Sequence, residues 1–142
     1  MAVTADASKP DDVLIVMDIW DGQPVSGVAI FNGDFVSFKR VFDEEAQGWS
    51  KTDFRVQRLT GPELAQFNEL HERFMAWQAA YAAGNTAPHP LLPEATGPDA
   101  DRYRALHWAV DAILHADTTK TLHCAGAMTF LPDRKRYVVH WL

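Results

Sequence analysis

Two aspartates near the end of the first apolar run are the residues best placed to do chemistry. Asp18 and Asp21 flank Trp20, and two neighbouring carboxylates can bind a divalent cation or share a proton. Asp21 is followed by Gly22, which is also ordinary turn chemistry. Asp18 interrupts an apolar strand, so its carboxylate needs a partner. Asp18 could form a structural ion pair or act as a catalytic acid. The arginines on neighbouring predicted strands are Arg40, Arg55 and Arg58.

A second candidate site is a row of metal-ligating residue types. His107, Asp111 and His115 recur every four residues, so they share one face of a predicted helix, as zinc ligands do in some enzymes. Trp108 interrupts the row, and no glutamate follows His107 to act as a base. A histidine at a helix C-terminus is also favoured by the helix dipole alone. The row is therefore kept as an alternative metal site, and no metal is otherwise expected.

Aromatic side chains are candidates for a binding surface, because tryptophan offers a large contact area at low entropic cost. Trp49 lies in the polar segment Gln47–Lys51, and Trp108 falls off the apolar stripe of its helix. The candidate binding residues are Asp18, Trp20, Asp21, Trp49 and Trp108.

The sequence contains none of the common signatures of catalysis. It has no Gly-x-Ser-x-Gly elbow and no glycine-rich phosphate loop. Its single cysteine, Cys124, excludes an internal disulfide and a cysteine-rich zinc site. Because Cys124 lies in the apolar phase of a predicted strand, we expect a buried, unreactive thiol. The sequence thus favours a protein that is not an enzyme, with no catalytic residue and no cofactor.

Composition restricts the classes of partner. The chain has 142 residues, 47% of them apolar and 23% charged, and a net charge of −6. These values indicate one globular domain and disfavour nucleic acid as a partner. The short basic run Arg134–Arg136 is typical of a solvated turn. The first ten residues do not resemble a signal peptide, and the longest apolar run, Val13–Met17, is too short for a membrane span. We therefore expect a cytoplasmic protein without a membrane partner.

Hydrophobic patterning predicts four strands, two helices and two further strands. Asn32-Gly33 between two strand-like runs is a strong hairpin signal. Thr60 and Glu63 have the spacing of a capping box, which predicts a helix from there to about Ala83. A proline-rich loop separates it from the second helix. The predicted strands are Val13–Ile19, Val25–Phe31, Phe35–Phe42, Phe54–Leu59, Leu122–Phe130 and Tyr137–Leu142, and the second helix is Asp99–His115.

This order predicts an α+β fold. Sequential hairpins imply a mostly antiparallel sheet of about six strands, in the order ββββααββ, with two helices packed on one face. Residues 1–10 are expected to form a disordered tail, and residues 11–142 a single domain.

Several motifs resemble the start of a family of small bacterial proteins. Trp20–Gly22, Ser26–Ala29, the Asn32-Gly33 hairpin and Phe42–Glu44 are similar to that family's strand, Asp-Gly-Pro-Arg-Ser-Gly segment, hairpin and acidic loop. This sequence has Gln23-Pro24-Val25 where the family has Pro-Arg, so an anion-binding role of that arginine does not carry over.

The resemblance continues in the first predicted helix and in the loop after it. Trp77–Tyr81 and His89–Pro93 look like that family's Trp-x-Ala-Ala-aromatic and His-Pro-x-Leu-Pro segments. The similarity covers residues 13–93. The family has no established activity, so the resemblance implies organisation and not function.

Two functions remain open from the sequence. The first is a non-catalytic module that binds a protein partner or a second copy of itself, and an acidic surface with aromatic anchors suits a basic partner. The alternative is a small metal-assisted hydrolase or isomerase that uses Asp18 and Asp21, or the row His107, Asp111 and His115.

Overall fold

A computed structural model of the chain describes residues 10–116 and 118–142. Apart from Pro10, the predicted N-terminal tail lies outside the described residues. The chain forms two compact units, one that holds the strands and one, Thr60–His115, that holds the helices. The expectation of a single domain over residues 11–142 stays a prediction. The elements are β1 (Asp11–Trp20), β2 (Gln23–Phe31), β3 (Asp34–Asp43), β4 (Gly48–Arg58), α1 (Gly61–Ala82), α2 (Pro98–Leu114), a short 3-10 helix (Thr118–Lys120), β5 (Leu122–Leu131) and β6 (Arg136–Trp141).

The six strands close into an antiparallel barrel, in which each strand pairs with its neighbours in sequence and β1 pairs with β6. The α+β class and the order of strands and helices are confirmed, but the open sheet with two helices on one face is wrong. Two residue pairs close the barrel, Asp11 with Val139 and Asp12 with Val138. The sequence pattern predicts hairpins between neighbours, whereas nothing local marks a pairing between the first and last strands.

Aromatic and branched side chains fill the barrel. Phe38 and Phe54 are fully buried and meet edge to face, with 6.2 Å between their ring centroids. Trp141 packs edge-on against Phe54 and Phe31, and its indole Nε1 donates to the carbonyl of Ile30 at 2.8 Å. Cys124 lies against this core, and burial raises the pKa of its thiol to about 11. The thiol is therefore protonated at neutral pH, as expected for a structural cysteine.

Two glycines in the β2–β3 region have distinct roles. Asn32 and Gly33 both have positive φ (50° and 80°), as the predicted two-residue hairpin requires. Gly27 lies opposite Val16 on β1, and a Cβ atom built there would lie 1.9 Å from the backbone oxygen of Ile15. β1 and β2 can approach this closely only because position 27 has no side chain.

We predict that Gly27→Ala lowers the free energy of unfolding by about 2–4 kcal/mol, because the backbones of β1 and β2 must separate to admit a methyl group. Denaturant unfolding measures the change. Gly48→Ala is the matched control, since its nearest atom would lie 3.9 Å away. Equal stability of the two variants would contradict the close approach.

The helical unit begins at the predicted capping box, with Thr60 Oγ1 accepting from the amide of Glu63 and the Glu63 carboxylate accepting from the amide of Thr60. α1 ends at Ala82 and α2 runs over Pro98–Leu114, within one residue of the predicted ends. Neither described helix is long and apolar enough to cross a membrane.

Glu69 on α1 joins the two helices. It accepts two hydrogen bonds from Arg102 on α2, at 2.7 and 2.8 Å, and one from Arg73 at 2.8 Å. The hydrogen bonds from Arg102 and then from Arg73 lower the pKa of Glu69 to about 2. Because the charged form makes these bonds only in the folded state, folding is linked to its ionisation.

We predict that this network stabilises the protein above about pH 4.5, the ordinary pKa of a glutamate, and that its contribution disappears as the pH falls from there towards 2. The measurement is the difference in unfolding free energy between the natural chain and Glu69→Gln at a series of pH values, with Glu72→Gln as the control on the same helix. The difference should shrink through that range for Glu69 alone. A difference that stays constant with pH would count against the network.

Candidate functional site

The barrel contains a cavity of about 480 Å³, lined from both the β1–β2 and β3–β4 turns. Trp20 and Asp21 line it beside the β1–β2 turn, and residues 46–51 line it at the β3–β4 turn and the start of β4. Arg40 of β3 lines it as well. We call this cavity the barrel-end cleft. It brings together three of the five predicted binding residues, Trp20, Asp21 and Trp49.

Arg40 is a buried cation held by backbone oxygens. The residue is only 3% exposed, and all three guanidinium nitrogens donate hydrogen bonds. Nε donates to the carbonyl of Pro24 at 2.5 Å, and Nη1 donates to the carbonyls of Ser50 and Lys51 at 3.0 and 2.9 Å. Nη2 donates to the side chain of Gln23 at 3.3 Å. Arg40 therefore connects the start of β2 to the start of β4.

An irregularity in β4 explains why those carbonyls are available. Arg40 pairs with Phe54, whereas Phe42, two residues on, pairs with Trp49. The intervening β4 residues bulge out of register with β3, so their carbonyls lack ladder partners. The hydroxyl of Ser50 accepts from the amide of Asp53 at 3.1 Å, which gives the bulge a local turn. The guanidinium of Arg40 donates hydrogen bonds to these carbonyl oxygens, which the pairing of β3 with β4 leaves without a partner.

The charge of Arg40 has no carboxylate counterpart within the described residues, since its hydrogen-bond partners are carbonyls and one side-chain amide. Burial lowers its pKa below the usual value of an arginine, but a guanidinium stays protonated at neutral pH. The guanidinium carbon also lies 4.6 Å from the centre of the Phe54 ring, a favourable cation–π distance.

Two indoles form the walls of the barrel-end cleft. Trp20 is 64% exposed, whereas Trp49 is half-buried and packs edge-on against Phe42 at 5.2 Å. Lys39 Nζ lies 5.7 Å from the centre of the Trp49 ring. Trp49 belongs to β4. Its polar neighbours had suggested a loop instead. Trp49 is held in place while Trp20 is free to contact a partner.

The carboxylates around the barrel-end cleft are in different situations. Asp43 accepts from the amides of Glu45 and Ala46 at 3.0 and 3.2 Å, so it shapes the β3–β4 turn. Asp21 lies in the β1–β2 turn with a positive φ of 52° and is exposed. Asp18 is exposed and accepts from the Ser26 hydroxyl at 3.3 Å. The expected ion pair of Asp18 with an arginine is absent from the described residues.

The remaining candidates belong to the helical unit. Trp108 is 65% exposed, and its ring contacts that of His107 at 5.2 Å. His115 Nδ1 lies 3.2 Å from the carboxylate of Asp111. Within the described ranges, no group of three or more His, Cys, Asp or Glu is placed to hold a metal ion. In the predicted row, Asp111 and His115 therefore contact each other, but His107, Asp111 and His115 do not form a set of metal ligands.

Sequence reasoning missed Arg40, Gln23 and Lys51 as residues of the barrel-end cleft. A signal for Arg40 was present, because it follows Val36 and Phe38 at the two-residue spacing of one strand face. Both are buried in the barrel core, so a charged residue continuing that face should be buried too. No comparable signal marks Gln23 or Lys51.

No known family, curated protein or solved structure matches the chain. The resemblance noted over residues 13–93 stays a prediction. The function must therefore be inferred from the chemistry of the barrel-end cleft.

We predict that Arg40→Met lowers the free energy of unfolding by about 2–4 kcal/mol, because three backbone carbonyls lose a charged donor while the apolar stem is kept. Thermal and denaturant unfolding measure the loss. Arg55→Met on β4 is the control, since no hydrogen bond or ion pair of its side chain exists among the described residues. A similar loss in both variants would show that Arg40 does not organise the bulge.

Proposed function

We propose that the protein is a non-catalytic binding module and that the barrel-end cleft receives a segment of a partner protein. The observation that carries this proposal is that an exposed indole, Trp20, and a held indole, Trp49, line one cleft of about 480 Å³. Phe42, which packs against Trp49, and Ile19, the neighbour of Trp20 in β1, are also large, apolar and exposed (46% and 59%), although neither lines the cleft. Clustered exposed aromatic and aliphatic side chains are typical of interaction sites rather than of free surface.

Charge around the barrel-end cleft favours a basic partner. The exposed carboxylates at the strand ends and turns next to it are Asp18, Asp21, Asp43, Glu44 and Glu45, and they outnumber the three cations of this region, Lys39, Arg40 and Lys51. The basic run Arg134–Arg136 lies around the β5–β6 turn, and none of it lines the cleft. With a net charge of −6 on the whole chain, long-range attraction would accelerate association with a positively charged protein. An apolar side chain of that partner would then contact Trp20.

The alternative, a metal-assisted hydrolase or isomerase, depends on residue spacing alone. Asp18 is engaged by Ser26, and Asp18 is not among the residues that line the barrel-end cleft. His107 packs against Trp108 rather than towards Asp111 and His115. These contacts favour the binding module over the catalytic alternative.

The decisive variants are Trp20→Ala and Trp108→Ala, because the two residues are almost equally exposed (64% and 65%) and only Trp20 lines the cleft. Proteins captured from a native lysate by the natural chain are identified, purified and titrated against each variant. We expect Trp20→Ala to weaken binding by about 30-fold, a typical loss for a buried interface tryptophan. Trp108→Ala should leave the affinity unchanged.

Two further measurements complete this test. Affinity for the purified partner should fall steeply with added salt and in Asp21→Asn, because the attraction is electrostatic. Sedimentation equilibrium of the natural chain and Trp20→Ala shows whether the partner is a second copy of the chain. Equal effects of the two tryptophan variants, on both capture and self-association, would contradict the proposal.

A further inference from the structure

The helical unit contains a second cavity, of about 520 Å³, within the size range of small-molecule sites. We call it the helical-unit cavity. Trp77 of α1 and Tyr103 of α2 both line it, together with small residues that include Ala95 and Ala100. It shares no lining residue with the barrel-end cleft, so a ligand site here is independent of the function proposed above.

The aromatic side of this cavity is held in a fixed arrangement. His89 meets Trp77 edge to face at 4.7 Å and meets Tyr103 edge to face at 5.6 Å, so its ring is wedged between them. Nδ1 of His89 accepts from the amide of Leu91 at 3.1 Å, which requires an unprotonated Nδ1. Tyr81 stacks on Trp77 at 5.4 Å. The two lining rings are therefore oriented by their neighbours before any ligand arrives.

The loop wall of the cavity is fixed as well. Arg104 on α2 donates to the carbonyls of Leu92 and Ala95 at 2.7 and 2.6 Å. These bonds tie the segment between the helices to α2 at the point where Ala95 lines the cavity. A preformed wall lowers the entropic cost of binding a ligand.

The charges that line the cavity leave one carboxylate in excess. Arg73 donates to Glu69 at 2.8 Å and lies 3.8 Å from the carboxylate of Asp99, so its charge is balanced. Glu94 also lines the cavity, and none of the described residues forms a hydrogen bond or ion pair with its carboxylate. An anionic ligand would face this unbalanced negative charge, whereas a cationic ligand would neutralise it.

The hydroxyl of Tyr103 is a further unmatched group. Tyr103 is only 6% exposed and lines the cavity, and its hydroxyl has no hydrogen-bond partner among residues 10–116 and 118–142. The hydroxyl oxygen itself is not buried, so it is accessible to a molecule in the cavity.

We propose that the helical-unit cavity binds a small organic ammonium ion, with Trp77 and Tyr103 contacting the cation and Glu94 supplying the opposite charge. Aromatic rings next to a carboxylate are the usual chemistry for recognising alkylated ammonium groups. The hydroxyl of Tyr103 is available to a polar substituent of the same ligand.

The test compares choline with 3,3-dimethylbutan-1-ol, its neutral isostere, by calorimetric titration of the full chain at constant ionic strength. The two probes have the same shape and hydroxyl group and differ in charge. We expect choline to bind at least about tenfold more tightly than the alcohol, as two ring contacts and a carboxylate would provide. Equal affinities, or no binding of choline, would overturn the proposal.

Paired variants locate the site. Glu94→Gln should weaken choline binding several-fold, whereas Glu72→Gln, exposed on α1 and outside the cavity, should not. Trp77→Leu should abolish binding, whereas Trp108→Leu should not. Because Trp77 also packs within the helical unit, Glu94→Gln at an exposed position keeps the test decisive if Trp77→Leu unfolds. Equal weakening by the Glu94 and Glu72 variants would place the cation elsewhere and refute the assignment.

Discussion

The guanidinium of Arg40 makes the barrel-end cleft possible. β4 leaves the register of β3 just where Trp49 must turn towards the cleft, and a strand that does so exposes carbonyl oxygens without partners. A single planar group reaches two of these oxygens and also that of Pro24 on the neighbouring strand β2. A lysine in this position would offer one nitrogen in place of three. The bulge, the position of Trp49 and the shape of the cleft therefore depend on one side chain.

The two cavities each contain an arginine whose hydrogen bonds are satisfied, and each leaves carboxylates available. In the barrel-end cleft the buried charge is positive and is already satisfied by the backbone, so contact is left to exposed indoles and to carboxylates at the surface. In the helical-unit cavity the arginine is neutralised by Glu69 and Asp99, and a carboxylate remains. A fixed aromatic side chain is present in each. Both proposals therefore call for a positively charged partner or ligand.

Local signals in the sequence predict local structure well. The Asn32-Gly33 turn and the capping box of Thr60 and Glu63 depend on contacts between residues close in the chain, and both are present. The closure of the barrel depends on Asp11 and Asp12 meeting Val139 and Val138, residues far apart in the sequence, for which no periodicity gives a sign. The predicted open sheet is wrong for that reason.

The candidate site shows the same contrast between residues that local sequence signals identify and residues placed by pairing between strands. Trp20 and Asp21 stand out in the sequence because they lie together beside a turn, and they do line the cleft. The polar neighbours of Trp49 predict a loop, although it lies in β4 opposite Phe42. The sequence offered three arginines on neighbouring strands as partners of Asp18, and none of them is the observed partner. Only the register of the strands decides that Ser26 lies beside it.

The seam between β1 and β6 has a mechanical consequence for the barrel. Two residue pairs join these strands, whereas six join β5 to β6. Few hydrogen bonds have to break for this seam to part, and the other strand pairs can survive the event. Thermal opening of the barrel should therefore begin at the seam between β1 and β6, because it has the fewest residue pairs. Two side-chain contacts resist this opening: Tyr137 Oη donates to the carbonyl of Gly22 at 3.0 Å, and Arg136 Nη2 lies 3.4 Å from the carboxylate of Asp12.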